Sequence, residues 1–375
     1  MQHTNVPNKS AWNPISRNGI EPSGFVSVSA YQTPYMRAAK WNPDDGATAI
    51  YDTANTYQFD DVSTRKQGGW IAAVPRNTNG IVLYPFDKDT GFGSKVVVLE
   101  THGPFVAVRF SSDGNYLACC TSTDLHIYNF NSAGIGSEIQ NLPALRVSSI
   151  YKLAHSYELD TFMVCGTSNP CIELRTFNDL DDQGIVNNTS LGLGFPKLSG
   201  IQASGKRYWA LSVVNSSLCY YGQIDNRTTL TSDGYINTNT NRNYPSWCPM
   251  FVDEGNAIYL GQSTDSRSDD YANGGHDYLG YVIPANGGNL TGPSYNGHII
   301  SSMGSAFTAR WTNGGDGGGV IATLRPPGLD VGISGLNYGW NNTRAIDCSI
   351  ITASGFGASK STFSTGVGVR ELDWF

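Results

Sequence analysis

Residues 105–129 read FVAVRFSSDGNYLACCTSTDLHIYN, and this stretch decides the fold. Val106, Val108 and Phe110 alternate with Ala107 and Arg109, the period of a half-buried strand. Ser111 to Asn115 then form a turn, in which Asp113 offers local hydrogen bonds and Gly114 a positive φ. Tyr116 to Cys120 give a second apolar strand, and Leu125 to Tyr128 a third. A unit of this kind cannot bury both of its faces alone. Copies stacked around an axis bury one another.

The same grammar recurs outward from this point. Residues 150–177 (IYKLAHSYELDTFMVCGTSNPCIELRTF) repeat strand, acidic turn, apolar strand, turn and strand. Residues 198–221 repeat it with Ser204-Gly205 as the first turn. Trp247 to Gln262 opens another unit, completed by Asp277 to Ile283 after a polar insertion, and Ala306 to Ile333 opens a fifth. The openings fall roughly 45–60 residues apart, the spacing of four-stranded propeller blades with loops. Trp70 to Glu100 holds three strands but no opening strand before Trp70, whereas Val369 to Phe375 (VRELDWF) reads as an opening strand with nothing after it. Pairing the tail with the Trp70 unit closes the ring and removes exposed sheet edges.

The expected fold is therefore all-β: a single β-propeller of six blades, closed by pairing the C-terminal strand with the N-terminal blade. Seven blades is the alternative, if Phe25 to Tyr57 supply an irregular one. The expected organisation is an extended, irregular N-terminal arm over 1–24, an irregular β segment packed on the propeller over 25–68, and the propeller over 69–375. Composition agrees, with 43 Gly for turns, 20 Tyr, 15 Phe and 8 Trp for pleated half-buried surfaces, and only 15% charged residues.

Residues 105–129 resemble a blade of the WD-repeat-like propeller superfamily, whose blades carry a Ser-x-Asp-Gly turn before an apolar strand. The sequence departs from true WD repeats: His102-Gly103 and Asp373-Trp374 stand in reversed order, and Tyr128-Asn129 takes the place of the Trp-Asp pair. The chain is also similar in general style to the propeller subunits that build the tail hub or nozzle of short-tailed bacteriophages.

Charge and motifs narrow the function. A net charge of −7 without a Lys/Arg run argues against nucleic-acid specificity. No apolar stretch is long enough to span a bilayer, and the N-terminal sequence lacks the apolar segment of a secretory signal. The seven cysteines, mostly in apolar runs, read as buried structural thiols; Cys165 and Cys171 lack the second pair that a zinc site needs. Neither a Gly-x-Ser-x-Gly elbow nor a phosphate loop is present, and Gly355 to Ser359 read as a glycine-rich loop.

The six histidines (3, 102, 126, 155, 276 and 298) show no metal-ligand spacing and read as satisfied loop or strand residues. The acidic clusters Asp179/Asp181/Asp182 and Asp265/Asp269/Asp270/Asp277 read as solvated loop charge; Arg267 and Asp270 break an EF-hand register in the second. Propeller enzymes such as lactonases place metal-binding acids and Asn residues from several blades at a central channel. The turn residues able to reach one here, Asp113, Asp253 and Asp316, read as turn-shaping. No catalytic, cofactor-binding or metal-binding residue and no cofactor is expected on this reading.

The expected role is that of a non-enzymatic virion protein, a bacteriophage tail component made in the host cytoplasm. Its expected partners are other virion proteins and copies of itself in a ring, joined through the arm, the 262–277 insertion and the loop from Tyr338 to Arg344. The alternatives are a cytoplasmic WD-like scaffold for a partner protein, and a carbohydrate-binding propeller using loop aromatics such as Trp340.

Overall fold

The computed structural model describes residues 22–375 except 29–33, 43–45, 54–56, 140–143, 157–160, 167–169, 178–181, 187–195, 199–201, 205, 214–217, 226–228, 238–245, 253–256, 263–277, 283–286, 292–317, 325–330, 339–343, 353–354 and 365–370. Every regular element among the described residues is a strand, and the strands assort into seven sheets. No described helix is long and apolar enough to cross a membrane. Most of the 1–24 arm, residues 263–277 of the insertion and most of the Tyr338–Arg344 loop lie outside the described residues.

Taken around the ring, the first sheet joins Gly24–Val28, Met36–Asn42 and Gly46–Asp52 to Glu371–Trp374. The second holds Phe59–Thr64, Gly69–Pro75, Ile81–Asp87, Gly91–Phe92 and Val96–Val98. Ala107–Phe110, Tyr116–Cys120, Leu125–Asn131 and Gly134–Glu138 make the third; Ile150–Ser156, Thr161–Gly166, Ile172–Thr176 and Asp182–Val186 make the fourth. The fifth is built on Pro196–Leu198, Lys206–Val213, Leu218–Asp225 and Thr229–Asn237, and the sixth on Ser246–Val252, Ala257–Gln262 and Tyr278–Val282. The seventh runs Gly318–Leu324, Val331–Tyr338, Arg344–Thr352 and Gly355–Ser364. Gly355 to Ser359 thus open a strand and are not a loop.

One edge strand of each sheet faces the centre. Glu371–Trp374, Phe59–Thr64, Ala107–Phe110, Ile150–Ser156, Pro196–Leu198, Ser246–Val252 and Gly318–Leu324 each touch the next, and the last touches the first. This closed ring of inner strands is a β-propeller.

The cores lie between neighbouring sheets, which explains why the strands are apolar on both faces. In Gly69–Pro75, Ile71 and Ala73 pack towards the first sheet with Val26, Met36 and Phe59, whereas Ala72 and Val74 pack towards the third with Phe110 and Leu117. Ala107, Ala118 and Ile127 then meet Leu153, Phe162 and Phe177 of the fourth sheet and its following turn. Each fully buried large aliphatic or aromatic side chain is worth roughly 1.5–3 kcal/mol, so each of these three interfaces is a core of its own.

Closure differs from the sequence expectation. The tail does not pair with the Trp70 unit. It pairs antiparallel with Gly24–Val28, placing Phe25 opposite Trp374 and Val28 opposite Glu371. The strand missing before Trp70 is Phe59–Thr64, in register with the strand ending at Pro75. Phe375 completes the seam: its carbonyl accepts from the Ser23 and Gly24 N–H groups at 2.7 and 3.1 Å, and its ring meets Phe86 edge-on at 4.8 Å. A side chain at Gly24 would run into that ring and the Ala39 carbonyl.

Candidate functional site

The inner strands are edge strands, and each presents backbone N–H groups that no further strand can pair. Side chains of the preceding inner strand supply the acceptors. Asp373 Oδ2 accepts from the Thr64 N–H at 2.7 Å, Asp61 Oδ2 from the Val108 N–H at 2.9 Å, and Ser63 Oγ from the Phe110 N–H at 3.1 Å. The polar residues Asp373, Asp61 and Ser63 on these strands answer that need.

The charged groups join into one network around the axis. Asp61, on the strand from Phe59, is 1% exposed. It accepts from Arg109 Nη1 at 2.6 Å and from Lys152 Nζ at 3.1 Å, cations carried by the next two inner strands. Lys152 also pairs with Glu371 on the tail strand. Beside them, Lys66 Nζ donates to Asp373 Oδ1 and to Thr64 Oγ1, each at 2.7 Å, and sits 4.2 Å from the centre of the Trp374 ring.

Exposure divides these groups by what they can do. Asp61 is sealed and saturated: burial alone would raise its pKa, but Arg109, Lys152 and the Val108 N–H outweigh burial and hold it below the usual carboxylate value. It is an anchor that stays ionised. Burial likewise opposes the charge on Lys152, but Asp61 and Glu371 overcome it and keep its pKa above the ordinary lysine value. Lys66 is the reverse case: burial prevails over Asp373 and brings its pKa down to about 8. The Glu371 and Asp373 side chains remain 21% and 18% exposed, each beside a fixed cation.

Other charged and cysteine positions are structural. Glu173 and Arg175 are fully buried in the fourth sheet; Glu173 accepts from Arg175 Nε at 2.8 Å and from the Arg146 N–H at 2.7 Å, tying down the connection from the third sheet. Cys119, Cys120, Cys165, Cys171 and Cys219 are buried thiols outside any disulfide. Asp113 shapes its turn, accepting from Ser111 Oγ at 2.6 Å and the Asn115 N–H at 3.0 Å, with Gly114 at φ 69°. Asp253 and Asp316 lie outside the described residues, as do Asp179 and Asp181, the side chain of Asp182, and Asp265, Asp269, Asp270 and Asp277 of the two acidic clusters. An open groove of about 500 Å³ between Tyr57, Asn77 and Val97 has Glu100 as its one charged lining residue.

The axial network was not anticipated from sequence. Its members stand 48, 91 and 219 positions apart along the pairs Asp61–Arg109, Asp61–Lys152 and Lys152–Glu371. No local spacing encodes them. The available signal is the occurrence of charge inside strand-like segments such as FDDVST, which is costly unless paired.

No protein-family model matches the chain. No curated protein matches it either. Among solved structures it is similar to a Bacteroides uniformis protein assigned as a 6-phosphogluconolactonase, with TM-score 0.63, 10% identity, and coverage of 95% of this chain and 100% of that one. It is similar to the periplasmic gluconolactonase of Pseudomonas aeruginosa, with TM-score 0.59, 12% identity, and coverage of 94% and 98%. The Cps50 (Swd1) β-propeller domain of Myceliophteria thermophila follows at TM-score 0.57, 9% identity, and coverage of 88% and 94%. These likenesses establish the propeller fold, shared with WD-like and lactonase-named propellers.

They also correct the functional expectation. A non-enzymatic phage tail role rested on style and on missing motifs. The fold-wide likeness runs to propellers named for lactone hydrolysis, and nothing in it points to a virion.

Proposed function

We propose that this protein is a hydrolase of the lactonase type, opening the cyclic ester of a sugar acid at the propeller axis, and that its seven sheets are seven blades. The observation that carries this reading is the partly exposed Glu371 side chain paired with Lys152, a cation fixed from behind by the sealed Asp61. Near-full-length likeness to lactonase-named propellers supports it.

Ester hydrolysis needs a base for water and a positive group where the carbonyl oxygen gains charge. Glu371 takes a proton from water as the water oxygen bonds to the lactone carbonyl carbon. Lys152 offers its ammonium to the developing oxyanion, and its pairing with Asp61 pre-orients it. The ring C–O bond then breaks, the ring oxygen receives the proton that Glu371 took, and the product is an open-chain hydroxy acid. One water is consumed.

The test is proton release in a pH-stat with glucono-δ-lactone and its 6-phosphate, measured above spontaneous hydrolysis. Wild-type protein opens at least one of them. E371Q, shown folded by circular dichroism, loses on the order of 10²–10⁴ in rate, the usual share of a general base. Wild-type protein that opens neither lactone above background sinks the proposal, and so does a fully active E371Q.

A further inference from the structure

His102, His126 and Glu138 meet at the outer side of the third sheet, away from the inner strands. One ligand atom from each lies within 4.8 Å of the others. His126 comes from Leu125–Asn131 and Glu138 from the neighbouring Gly134–Glu138, the two strands pairing through a bulge that sets Glu138 opposite Tyr128. His102 comes from the connection between the second and third sheets. There Leu99 adopts φ 60°, and the His102 N–H closes a turn onto the Leu99 carbonyl at 3.1 Å. A non-glycine residue in that region is held at a cost of roughly 1–3 kcal/mol, so the surrounding contacts enforce the turn that delivers this imidazole.

Two features point to a ligand. His102 Nδ1 is buried and has no hydrogen-bond partner among the described residues. Such a group costs free energy unless something outside the chain satisfies it. The environment is also that of a held ligand set. His126 Nδ1 lies 2.7 Å from Glu138 Oε1, the His102 and His126 rings are 5.0 Å apart, and Phe105 is 6.1 Å from His126. The Tyr128 hydroxyl stands 3.4 Å from His102 Nε2.

We propose that His102, His126 and Glu138 form a binding site for one divalent transition-metal ion of the zinc class. Two imidazoles and a carboxylate are the donors such ions select, and three protein ligands leave a fourth position for water. Tetrahedral coordination needs ligand atoms roughly 3.3 Å apart at bonds of about 2.0–2.1 Å, so His126 and Glu138 separate slightly on binding. The ion fastens the 99–105 connection to the outer strands of the third sheet and acts as a clamp between consecutive sheets. The site is independent of the axial network and of the lactonase reading.

The experiment uses the full chain freed of any affinity tag and stripped with chelator. Zinc titration by calorimetry and cobalt titration by visible absorption then read binding. Wild-type protein takes up one equivalent, with the intense visible bands of four-coordinate cobalt, and zinc raises its thermal midpoint by on the order of 2–5 °C. H102A and E138Q each weaken binding at least tenfold and abolish that rise, and H155A leaves both unchanged. Absence of zinc binding at millimolar concentration overturns the proposal. Binding that survives unchanged in both H102A and E138Q overturns it equally.

Discussion

Replacing Lys66 with methionine changes the slope of stability against pH. Lys66 is buried with a pKa of about 8, whereas an unfolded lysine titrates near about 10.4. Between those values the folded chain has released the proton and the unfolded chain still holds it. The unfolded state then binds more protons, so stability rises with pH. One group contributes about 1.4 kcal/mol per pH unit, or roughly 3 kcal/mol across the interval.

Buried thiols act in the opposite direction. Burial pushes the thiols of Cys119, Cys120 and Cys165 upward and brings Cys171 to about 11. Unfolded thiols ionise near about 8.5, so above that pH the folded state keeps protons that the unfolded state gives up, and stability falls. The wild-type protein therefore weakens in alkali despite Lys66, and K66M weakens faster by one group's slope. Urea unfolding of both proteins from about pH 7 to 10.5 measures this. The curves run parallel below about pH 8 and diverge by about 1.4 kcal/mol per unit above it. Curves that stay parallel throughout refute the burial of a depressed lysine beside Asp373.

Two further changes probe the ring. D61N removes the charge that holds Arg109 and Lys152 and leaves two cations facing an amide; the expected loss is about 3–5 kcal/mol in urea unfolding, and a loss under about 1 kcal/mol contradicts the anchoring role. The Asp61 pKa is depressed on folding, so the wild-type advantage over D61N is full above about pH 4 and disappears as pH falls through the lower folded value. F375A empties the seam against Phe86 and Gly24, with an expected cost of about 3–5 kcal/mol; an unchanged urea midpoint disproves a role for the seam in closure.

Local chemistry made part of this molecule readable. The Ser111–Asn115 turn is encoded by Asp113 and Gly114 themselves, and the strands on either side pair antiparallel across it, but they are buried on both faces instead of alternating as half-buried strands. The closing seam was misassigned for a physical reason. Phe59–Thr64 carries Asp60, Asp61, Ser63 and Thr64, a composition that reads as surface until the axis is known to need acceptors. With that strand overlooked, Trp70 seemed to need the tail. The metal-ligating candidates were equally hidden, because Glu138 is brought to His126 only by a bulged register between Tyr128 and Phe130, and His102 only by the Leu99 turn.

The seam between Gly24–Val28 and Glu371–Trp374 also has a temporal meaning. The Ser23 hydroxyl and the Phe375 carbonyl it meets are 352 positions apart, so this contact spans nearly the whole chain. Contacts of such separation form late, because their loop-closure entropy is recovered only once the intervening sheets are in place. Glu371 and Asp373 lie on one of the two strands that this long-range seam brings together. Until that strand docks, Lys152 lacks one counter-charge and Lys66 lacks its own. The axis is therefore charge-balanced only in the closed ring, so closure of the sheets and neutralisation of the buried cations are one event.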